Sequence, residues 1–379
     1  MNILTVIHEF PPIGGGGGQI ARDLAIALAK RGHQLRVVSA AFEDLPEREM
    51  QDGIEIVRLK SYRTQAYRAG FPTMAAFILA ANRYCLRMRD FTPDIVHAHF
   101  AVPGGPAVFP YAQWRKIPYV LTVHLGDIPG ASPEKTGKWF RFVYPFTHSI
   151  WEKASRVVAV SEFSRSLALK SYQVPIDVIP NGIDYDAIHN RTLEPHSPLK
   201  IAFAGRFVPQ KNLPVLVEAL AEVKELDWRC QLLGDGQDRP QIEALIHQKE
   251  LQNKISITGW VKPQQVVEAF HQSDLLFLPS LTEGLPIVGI QAMASGLALL
   301  LSDAGGNREI VVENKNGYAR SPHDVQGYAA LLRELINDPE LVMTLRRNSL
   351  EMAKQYDIAL IAAQYEAVFN EVLNSRKKS

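Results

Sequence analysis

Cysteine is scarce in this chain of 379 residues, which argues against a disulfide-stabilised fold and against a cysteine metal site. Cys85 and Cys230 stand far apart, so they form neither a disulfide framework nor a metal-binding motif on spacing grounds. A chain without a disulfide framework suits a reducing compartment, so we expect a cytoplasmic protein.

Charge of one sign and long hydrophobic runs are also lacking. The 41 basic and 40 acidic residues give a net charge of +1, which predicts no nucleic-acid partner. The longest apolar stretch, 286–301, is interrupted by Gln291 and Ser295 and is shorter than the ~20 residues of a membrane-spanning helix. The opening "MNILTVIHEF" lacks the basic segment of a signal peptide.

What is present is a regular alternation of apolar strands and helical patterns. Short runs such as "NILTVI", "DIVHAHF" and "PYVLTVH" are typical of buried strands, and helical patterns lie between many of them. The aperiodic segment "RTLEPHSPL" (191–199) is expected to be a linker, and the pattern restarts after it with "KIAFAG". The sequence therefore predicts two successive α/β units with parallel sheets.

Five consecutive glycines, Gly14 to Gly18, separate the first strand from a helix that we expect to end at Gly32. Backbone N–H groups at such a place suit a phosphate, so this loop is a candidate phosphate cradle. Gly16, Gly18 and Ala21 also satisfy the dinucleotide pattern G-x-G-x-x-A, although no acidic residue ends the second strand. A nicotinamide site is therefore an open alternative.

The second half places charged residues after its strands. Arg206 and Lys211 share one loop in "AGRFVPQKN", where they could grip a diphosphate, and Asn212 is expected to cap the next helix. Glu283 follows a later strand and could accept hydrogen bonds from sugar hydroxyls. Taken alone, the two cations are more typical of solvated surface positions.

Two segments, 61–89 and 134–146, mix basic and aromatic residues. The simpler interpretation is amphipathic helices with solvated basic faces. The functional interpretation is a surface that binds an acceptor or touches a membrane.

Taken together and in order, the motifs resemble the retaining GT-B glycosyltransferases of glycosyltransferase family 4. The resemblance is carried by the glycine loop with "ALAKRGH", "DIVHAHF", "VSEFSR", "VIPNGID", "FAGRFVPQKN", "LLGDG", "PSLTEGLPIVGIQAMASG" and "AGGNREIV". It implies two Rossmann-like doubly wound domains facing across a deep cleft. Residues 1–192 would bind the acceptor and residues 199–355 the donor, and a C-terminal helix at about 356–379 would cross back to the first domain.

The resemblance also implies roles for single residues. Those implied to be catalytic are His124, Glu283, Arg206 and Lys211. Those implied to bind the donor are Gly15, Gly16, Arg206, Lys211, Glu283, Gly284, Leu285, Pro286 and Gln291. Gly17, His99 and Asp127 are candidates for the acceptor side. Position 291 departs from the family, whose E-x7-E signature has there a second acid that binds ribose hydroxyls.

The implied function is transfer of a hexosyl unit from a UDP- or GDP-sugar to an acceptor hydroxyl, with retention of configuration, in glycoconjugate synthesis. The partners would be the nucleotide-sugar donor and a sugar, lipid-linked or small-molecule acceptor, with peripheral contact to the inner membrane face through the N-terminal domain. No Asp-x-Asp pair at the tip of a strand suggests a divalent ion, so we expect neither a metal nor another cofactor. The alternatives are a non-catalytic or epimerase-like sugar-nucleotide-binding protein and an NAD-dependent oxidoreductase.

Overall fold

The computed structural model of the protein describes residues 1–66, 69–131, 140–190 and 192–377. It divides into two compact units, of which the first comprises Met1–Gly182 with Ile358–Ser379 and the second Ile183–Asp357. This division comes before the linker predicted at 191–199, whose residue 191 lies outside the described residues.

The first unit is built on one sheet with the strand order β3-β4-β2-β1-β5-β6-β7-β8. Its strands are β1 (Asn2–Val6), β2 (Gln34–Ala40), β3 (Arg48–Gln51), β4 (Ile54–Leu59), β5 (Ile95–His99), β6 (Tyr119–Val123), β7 (Arg156–Ala159) and β8 (Ile176–Val178). All neighbours pair in parallel except β3 and β4, an antiparallel pair that the sequence analysis did not predict.

Helices cover both faces of this sheet, which explains why β5 and β6 are apolar along most of their length. The helices are α1 (Gly16–Lys30), α2 (Phe71–Arg87), α3 (Gly104–Arg115), α4 (Phe140–Glu152), α5 (Glu162–Ala168) and α13 (Ile358–Lys377). On one face, α1 packs beside α13, whose Ile361, Tyr365 and Phe369 are buried in the same apolar cluster. The end of the chain therefore completes the core of the first unit.

The second unit repeats the plan with the strand order β11-β10-β9-β12-β13-β14, all parallel. Its strands are β9 (Leu199–Ala204), β10 (Trp228–Leu233), β11 (Ile255–Gly259), β12 (Leu275–Leu278), β13 (Ala298–Ser302) and β14 (Gly317–Arg320). Its helices are α6 (Tyr185–Ile188), α7 (Leu213–Ala221), α8 (Arg239–Gln248), α9 (Pro263–His271), α10 (Ile287–Ala294), α11 (Val325–Asn337) and α12 (Pro339–Ala353).

The predicted α/β fold class, with two Rossmann-like units, is confirmed. Each sheet is doubly wound, because the strand order reverses beside β1 in the first unit and beside β9 in the second. In such sheets a ligand binds outside the carboxyl ends of the strands at this reversal. The fold therefore points to the loops after β1, β5 and β6 and to those after β9 and β12.

Two local expectations were wrong. Asn212 stands at the start of α7, but its side chain donates to the carbonyls of Pro279 and Pro322 instead of capping the helix. Arg63 is buried, not on a solvated helical face, and donates to the carbonyls of His8, Gln65 and Ala66. The expected end of α1 is confirmed, because Arg31 is its C-cap and Gly32 follows with φ +89°, the left-handed conformation in which a glycine commonly ends a helix.

The basic and aromatic segments are described only in part. In the first, Tyr67 and Arg68 lie outside the described residues, and α2 covers Phe71–Arg87. In the second, residues 134–139 lie outside them. Across the described ranges, no helix is both long enough and apolar enough to cross a membrane.

Candidate functional site

The glycine run turns from a loop into a helix at its second member. Gly15 is the N-cap of α1, so the backbone N–H groups of the first helical turn begin at Gly16. A side chain at Gly15 would meet nothing within 4 Å. Packing does not require glycine there, which leaves room for a ligand to approach the backbone.

The other glycines of the run have packing reasons. A Cβ on Gly17 would lie 2.6 Å from Cζ of Phe100, and one on Gly18 would lie 2.6 Å from the carbonyl oxygen of Glu9. Gly14 has φ +90°, a backbone conformation that is strained for residues with a side chain and that glycine adopts readily. Gly17 and Gly18 therefore pack the start of α1 against neighbouring loops.

Phe100, directly after β5, is a site residue that the sequence analysis missed. Its φ of +68° is unusual for a bulky side chain, and such outliers cluster at functional sites. Its ring stands 4.3 Å from that of His124, measured between centroids. The only sequence signal was its place at the end of "DIVHAHF".

His124 follows β6, as predicted, and Asp127 fixes the loop around it. Asp127 Oδ2 accepts the backbone N–H of His124 at 2.8 Å, and its Oδ1 accepts that of Val102 at 3.3 Å. The carboxylate thus joins the loops after β5 and β6. Asp127 is only 4% exposed, and its hydrogen bonds indicate that it positions the backbone of His124.

His97 and His99 are two residues apart on β5 and share one of its faces, with ring centroids 4.2 Å apart. Burial lowers the pKa of His97 to about 3 and that of His99 well below its ordinary value, with a smaller effect from His124. His97 Nε2 is 2.8 Å from Oγ1 of Thr122. Within the described ranges, neither ring nitrogen of His99 has a hydrogen-bond partner.

In the second unit, the predicted cation and acid meet. Lys211 follows β9 and Glu283 follows β12, and Nζ of Lys211 lies 2.6 Å from Oε1 of Glu283. Their side chains are 16% and 10% exposed, so the pair is largely shielded from water. Arg206 lies on the same loop as Lys211 but is exposed.

Backbone and amide contacts hold these two loops together. The side-chain amide of Gln210 donates to the carbonyl of Thr282 at 2.7 Å, and Leu281 N–H donates to the carbonyl of Gln210 at 2.8 Å. Gln210 is a second residue that the sequence analysis missed. These bonds fix the register in which Lys211 reaches Glu283.

The start of α10 lies next to this pair. Gly284, Leu285 and Pro286 connect Glu283 to the helix, and Pro286 is its N-cap. A Cβ on Gly306 would lie 1.8 Å from the carbonyl oxygen of Gly284, so glycine is required where these loops cross. Gln291 lies within α10, half-buried, and its side chain forms no hydrogen bond with the rest of the described chain.

The predicted residues thus divide into two groups according to the unit in which they lie. Gly15, Gly16 and His124 belong to the first group, and Lys211 and Glu283 belong to the second. Among the described residues, no three or more His, Cys, Asp or Glu side chains are grouped so that they could hold a metal ion.

Two family models match the chain. The model described as Glycosyltransferase Family 4 matches residues 14–187, and the model described as Glycosyl transferases group 1 matches residues 184–352. Together they span both units. The chain belongs to the family 4 glycosyltransferases of the GT-B type.

Its relatives and structural neighbours agree with this assignment. Glycogen synthase of Mycobacterium tuberculosis is 25% identical over 392 residues, which cover 97% of this chain and 94% of that protein. Sucrose-phosphate synthase from Thermosynechococcus elongatus superposes with a TM-score of 0.84 at 20% identity, covering 99% of this chain and 100% of the other. HepE from Anabaena, solved with UDP and glucose, gives 0.76 at 20% identity, covering 98% and 100%. At these identities, the solved structures establish the fold.

Proposed function

We propose that this glycosyltransferase moves a hexosyl unit from a nucleoside diphosphate sugar to an acceptor hydroxyl, with retention of configuration and without a metal ion. The observation that carries the proposal is the shielded pair of Lys211 and Glu283 at the carboxyl ends of β9 and β12. It lies at the strand-order reversal of its sheet, where such folds bind ligands.

The donor diphosphate is assigned to Arg206, Lys211 and the start of α10. The two cations share one loop, and the helix adds the partial positive charge of its N-terminus. Charge of this sign stabilises the negative charge that develops on a leaving diphosphate. This arrangement would do the work that a bound metal does in other transferases.

Glu283 has two proposed tasks. It holds the Lys211 ammonium in place, and since an ammonium has three donors, Lys211 can bind a phosphate oxygen without leaving Glu283. The other carboxylate oxygen, Oε2, has no recorded partner among the described residues and can accept a hydroxyl of the transferred sugar.

His124, Gly15 and Gly16 are assigned to the sugar and acceptor. In the proposed step, the bond from C1 of the hexose to the diphosphate oxygen breaks, and C1 bonds to the acceptor oxygen on the same face. The acceptor proton passes to a diphosphate oxygen. Asp127 serves as a positioning residue, because it orients the backbone of His124.

UDP is the first donor nucleotide to test, because HepE was solved with UDP and glucose. A non-catalytic binder or an epimerase of the same fold would bind the nucleotide sugar without transferring it. The oxidoreductase alternative loses support, since both matching family models describe glycosyltransferases.

The test measures nucleotide binding and transfer separately. Thermal unfolding with UDP, GDP, ADP or NAD, with and without EDTA, should show a shift for one nucleoside diphosphate that survives EDTA. A ligand at 100 times its Kd adds about 2.7 kcal/mol to the free energy of unfolding. A shift with NAD alone would contradict the proposal.

Two variants then test the pair. Lys211→Ala should weaken nucleotide binding, and Glu283→Gln, which keeps a hydrogen bond to Lys211, should lower transfer by about 100-fold or more. Glu340→Gln, an exposed acid in α12, is the matched control and should leave transfer unchanged. Wild-type transfer rates in Glu283→Gln and Lys211→Ala would remove the site assignment.

Peripheral membrane contact is a further part of the proposal. The outer side of α2 exposes Leu79 and Leu86 beside Arg83 and Arg87, a mixture that suits an anionic lipid surface. Sedimentation with phosphatidylserine vesicles should capture the protein, and Arg83→Glu with Arg87→Glu should release it. Equal sedimentation of both proteins would contradict this contact.

A further inference from the structure

The second unit contains a cavity of about 410 Å³ that the proposed function does not use. Its walls lie at the amino ends of the strands: Lys200 in β9, Arg229 in β10, Ile255 in β11, and Gln272 and Ser273 just before β12. Its volume falls in the range typical of small-molecule sites.

This cavity is separate from the site at the carboxyl ends. Lys200 and Arg206 are six residues apart along β9 and the start of its loop, which corresponds to about 20 Å at about 3.3 Å per residue. A molecule bound at one end of the sheet therefore does not fill the other.

The cavity wall carries a row of like charges, formed by one residue of β9, one of β10 and the residue before β11. Lys200 and Arg229 are direct partners in the β9–β10 register. Lys254 precedes Ile255, whose partner in β10 is Cys230, so Lys254 adjoins Arg229 on its other side. Like charges placed opposite each other destabilise a sheet. An anion bound between these cations would offset their mutual repulsion.

Nothing in the wall neutralises this row. The residues that line the cavity all lie within the described ranges and include no aspartate or glutamate. Asp274, which follows Ser273 of the wall, is already paired with Arg346 and His196 and accepts the backbone N–H of Lys200. The Lys200 ammonium has no recorded hydrogen bond or ion pair among the described residues.

The two other cations are only partly engaged. One guanidinium nitrogen of Arg229 donates to the carbonyl of Trp228 at 3.1 Å, which leaves its remaining donors available. The ammonium of Lys254 donates to the carbonyl of Leu226 and lies 5.0 Å from the centroid of the Trp228 ring. A carbonyl and a ring face do not cancel a full positive charge.

The rest of the wall is polar and neutral. Side-chain amides come from Gln231, Asn253 and Gln272, and a hydroxyl comes from Ser256. Amides and hydroxyls both donate and accept, as the hydroxyl groups of a sugar require. The cations recognise a phosphate, and the neutral groups recognise a polyhydroxylated body.

We propose that this cavity binds a phosphorylated sugar, with the phosphate between Lys200 and Arg229 and the sugar hydroxyls on the amides. The ligand is either a free sugar phosphate or the phosphorylated end of a glycan, since both offer the same chemistry. The site goes beyond the proposed function and does not depend on it.

Isothermal titration calorimetry with glucose 6-phosphate tests the site, in the presence of saturating UDP so that the donor site is filled. The wild type should bind it, and Lys200→Ala with Arg229→Ala should bind it at least tenfold more weakly. Lys315→Ala with Arg347→Ala, which removes two exposed cations of the same unit outside the cavity, should bind like the wild type. Because the cavity variant loses a like-charge pair, its melting temperature should equal or exceed that of the wild type.

Further ligands distinguish a glycan end from a free sugar phosphate and show which results would contradict the proposal. A phosphorylated oligosaccharide that binds more tightly than glucose 6-phosphate would identify a glycan end, and weaker binding would identify the free sugar phosphate. Equal binding of glucose, or of inorganic phosphate, would overturn the assignment, as would no binding at millimolar concentration or equal loss in both double variants. Lys211→Ala should leave this binding unchanged, so the donor site and this cavity can fail independently.

Discussion

Position 291 shows how a single residue could tune a donor site. An amide can accept one hydrogen bond from a ribose hydroxyl and donate another, but it carries no charge. Hydrogen bonds to charged groups contribute about 1.5–3 kcal/mol, against about 1 kcal/mol for neutral ones. We propose that the half-buried Gln291 faces the ribose, where it would bind more weakly than the acid that the family signature has at this place.

Gln291→Glu should accordingly tighten binding of the preferred nucleoside diphosphate by about tenfold, a difference of about 1.4 kcal/mol. Calorimetry measures it, with Gln248→Glu, an exposed residue of α8, as the control for the added charge. The gain should vanish with the 2′,3′-dideoxy nucleotide. Unchanged or weaker binding of the ribonucleotide would place Gln291 away from the ribose.

The lowered pKa of His99 should make the free energy of unfolding depend on pH in the acid range. Burial holds its pKa well below the ordinary 6.5, so the folded state excludes a proton that the unfolded chain takes up below pH 6.5. Its contribution to the free energy of unfolding is thus fully present above pH 6.5 and is lost as the pH falls. At pH 5 the loss would reach about 2 kcal/mol.

His99→Phe should remove this loss without breaking a hydrogen bond, because neither ring nitrogen has a partner within the described ranges. Urea unfolding at pH 7 and pH 5 should show a smaller difference than in the wild type, while His247→Phe, at an exposed position, should keep the full difference. Transfer at pH 7 then decides the expected acceptor role. Retained activity assigns His99 to packing, and lost activity with normal stability places it in the site.

At the scale of elements, the glycines at the start of α1 differ in whether packing requires them. Glycine is needed at Gly17 and Gly18, where a Cβ would meet Phe100 or the carbonyl of Glu9 at 2.6 Å. At Gly15 it is not, since φ is −131° and a Cβ would meet nothing. A role for Gly15 can thus be measured without disturbing the helix.

Gly18→Ala should lower the free energy of unfolding by about 1–3 kcal/mol, because the new methyl group presses on backbone. Gly15→Ala should leave stability unchanged but lower transfer if the backbone there approaches the donor or acceptor. Chemical unfolding and a transfer assay check the two effects. Normal transfer in Gly15→Ala would remove Gly15 from the site, and normal stability in Gly18→Ala would contradict the close contact.

At the same scale, buried strands could be predicted from the sequence, whereas the partners of single side chains could not. Strands such as β5 and β6 were predictable because both of their faces are buried, so their apolar runs are nearly continuous. The roles of Asn212 and Arg63 were not, because their partners are backbone carbonyls, some of them far away in the sequence. Likewise, a motif predicted Lys211 and Glu283, but only the fold shows that they touch.

At the scale of the whole molecule, the first unit is built from two separate stretches of the chain. Residues 183–357 form the second unit, and α13 then returns to the first, where Phe369 is fully buried beside His97 and Tyr365. Sequence position alone would assign α13 to the second unit, because the preceding helices belong there. The resemblance implied the return, and burial in the first core gives its physical reason.

Phe369→Ala should therefore weaken the first unit, although the substitution lies near the end of the chain. Truncating a buried phenylalanine costs about 3–5 kcal/mol. Hydrogen exchange followed by mass spectrometry should show faster exchange in β1 and β5, while β9 and β12 keep wild-type rates. Leu360→Ala, an exposed position of the same helix, should change neither set. Faster exchange confined to β9 and β12 would mean that α13 stabilises the second unit, which its burial among Ile3, Leu24 and Ile95 argues against.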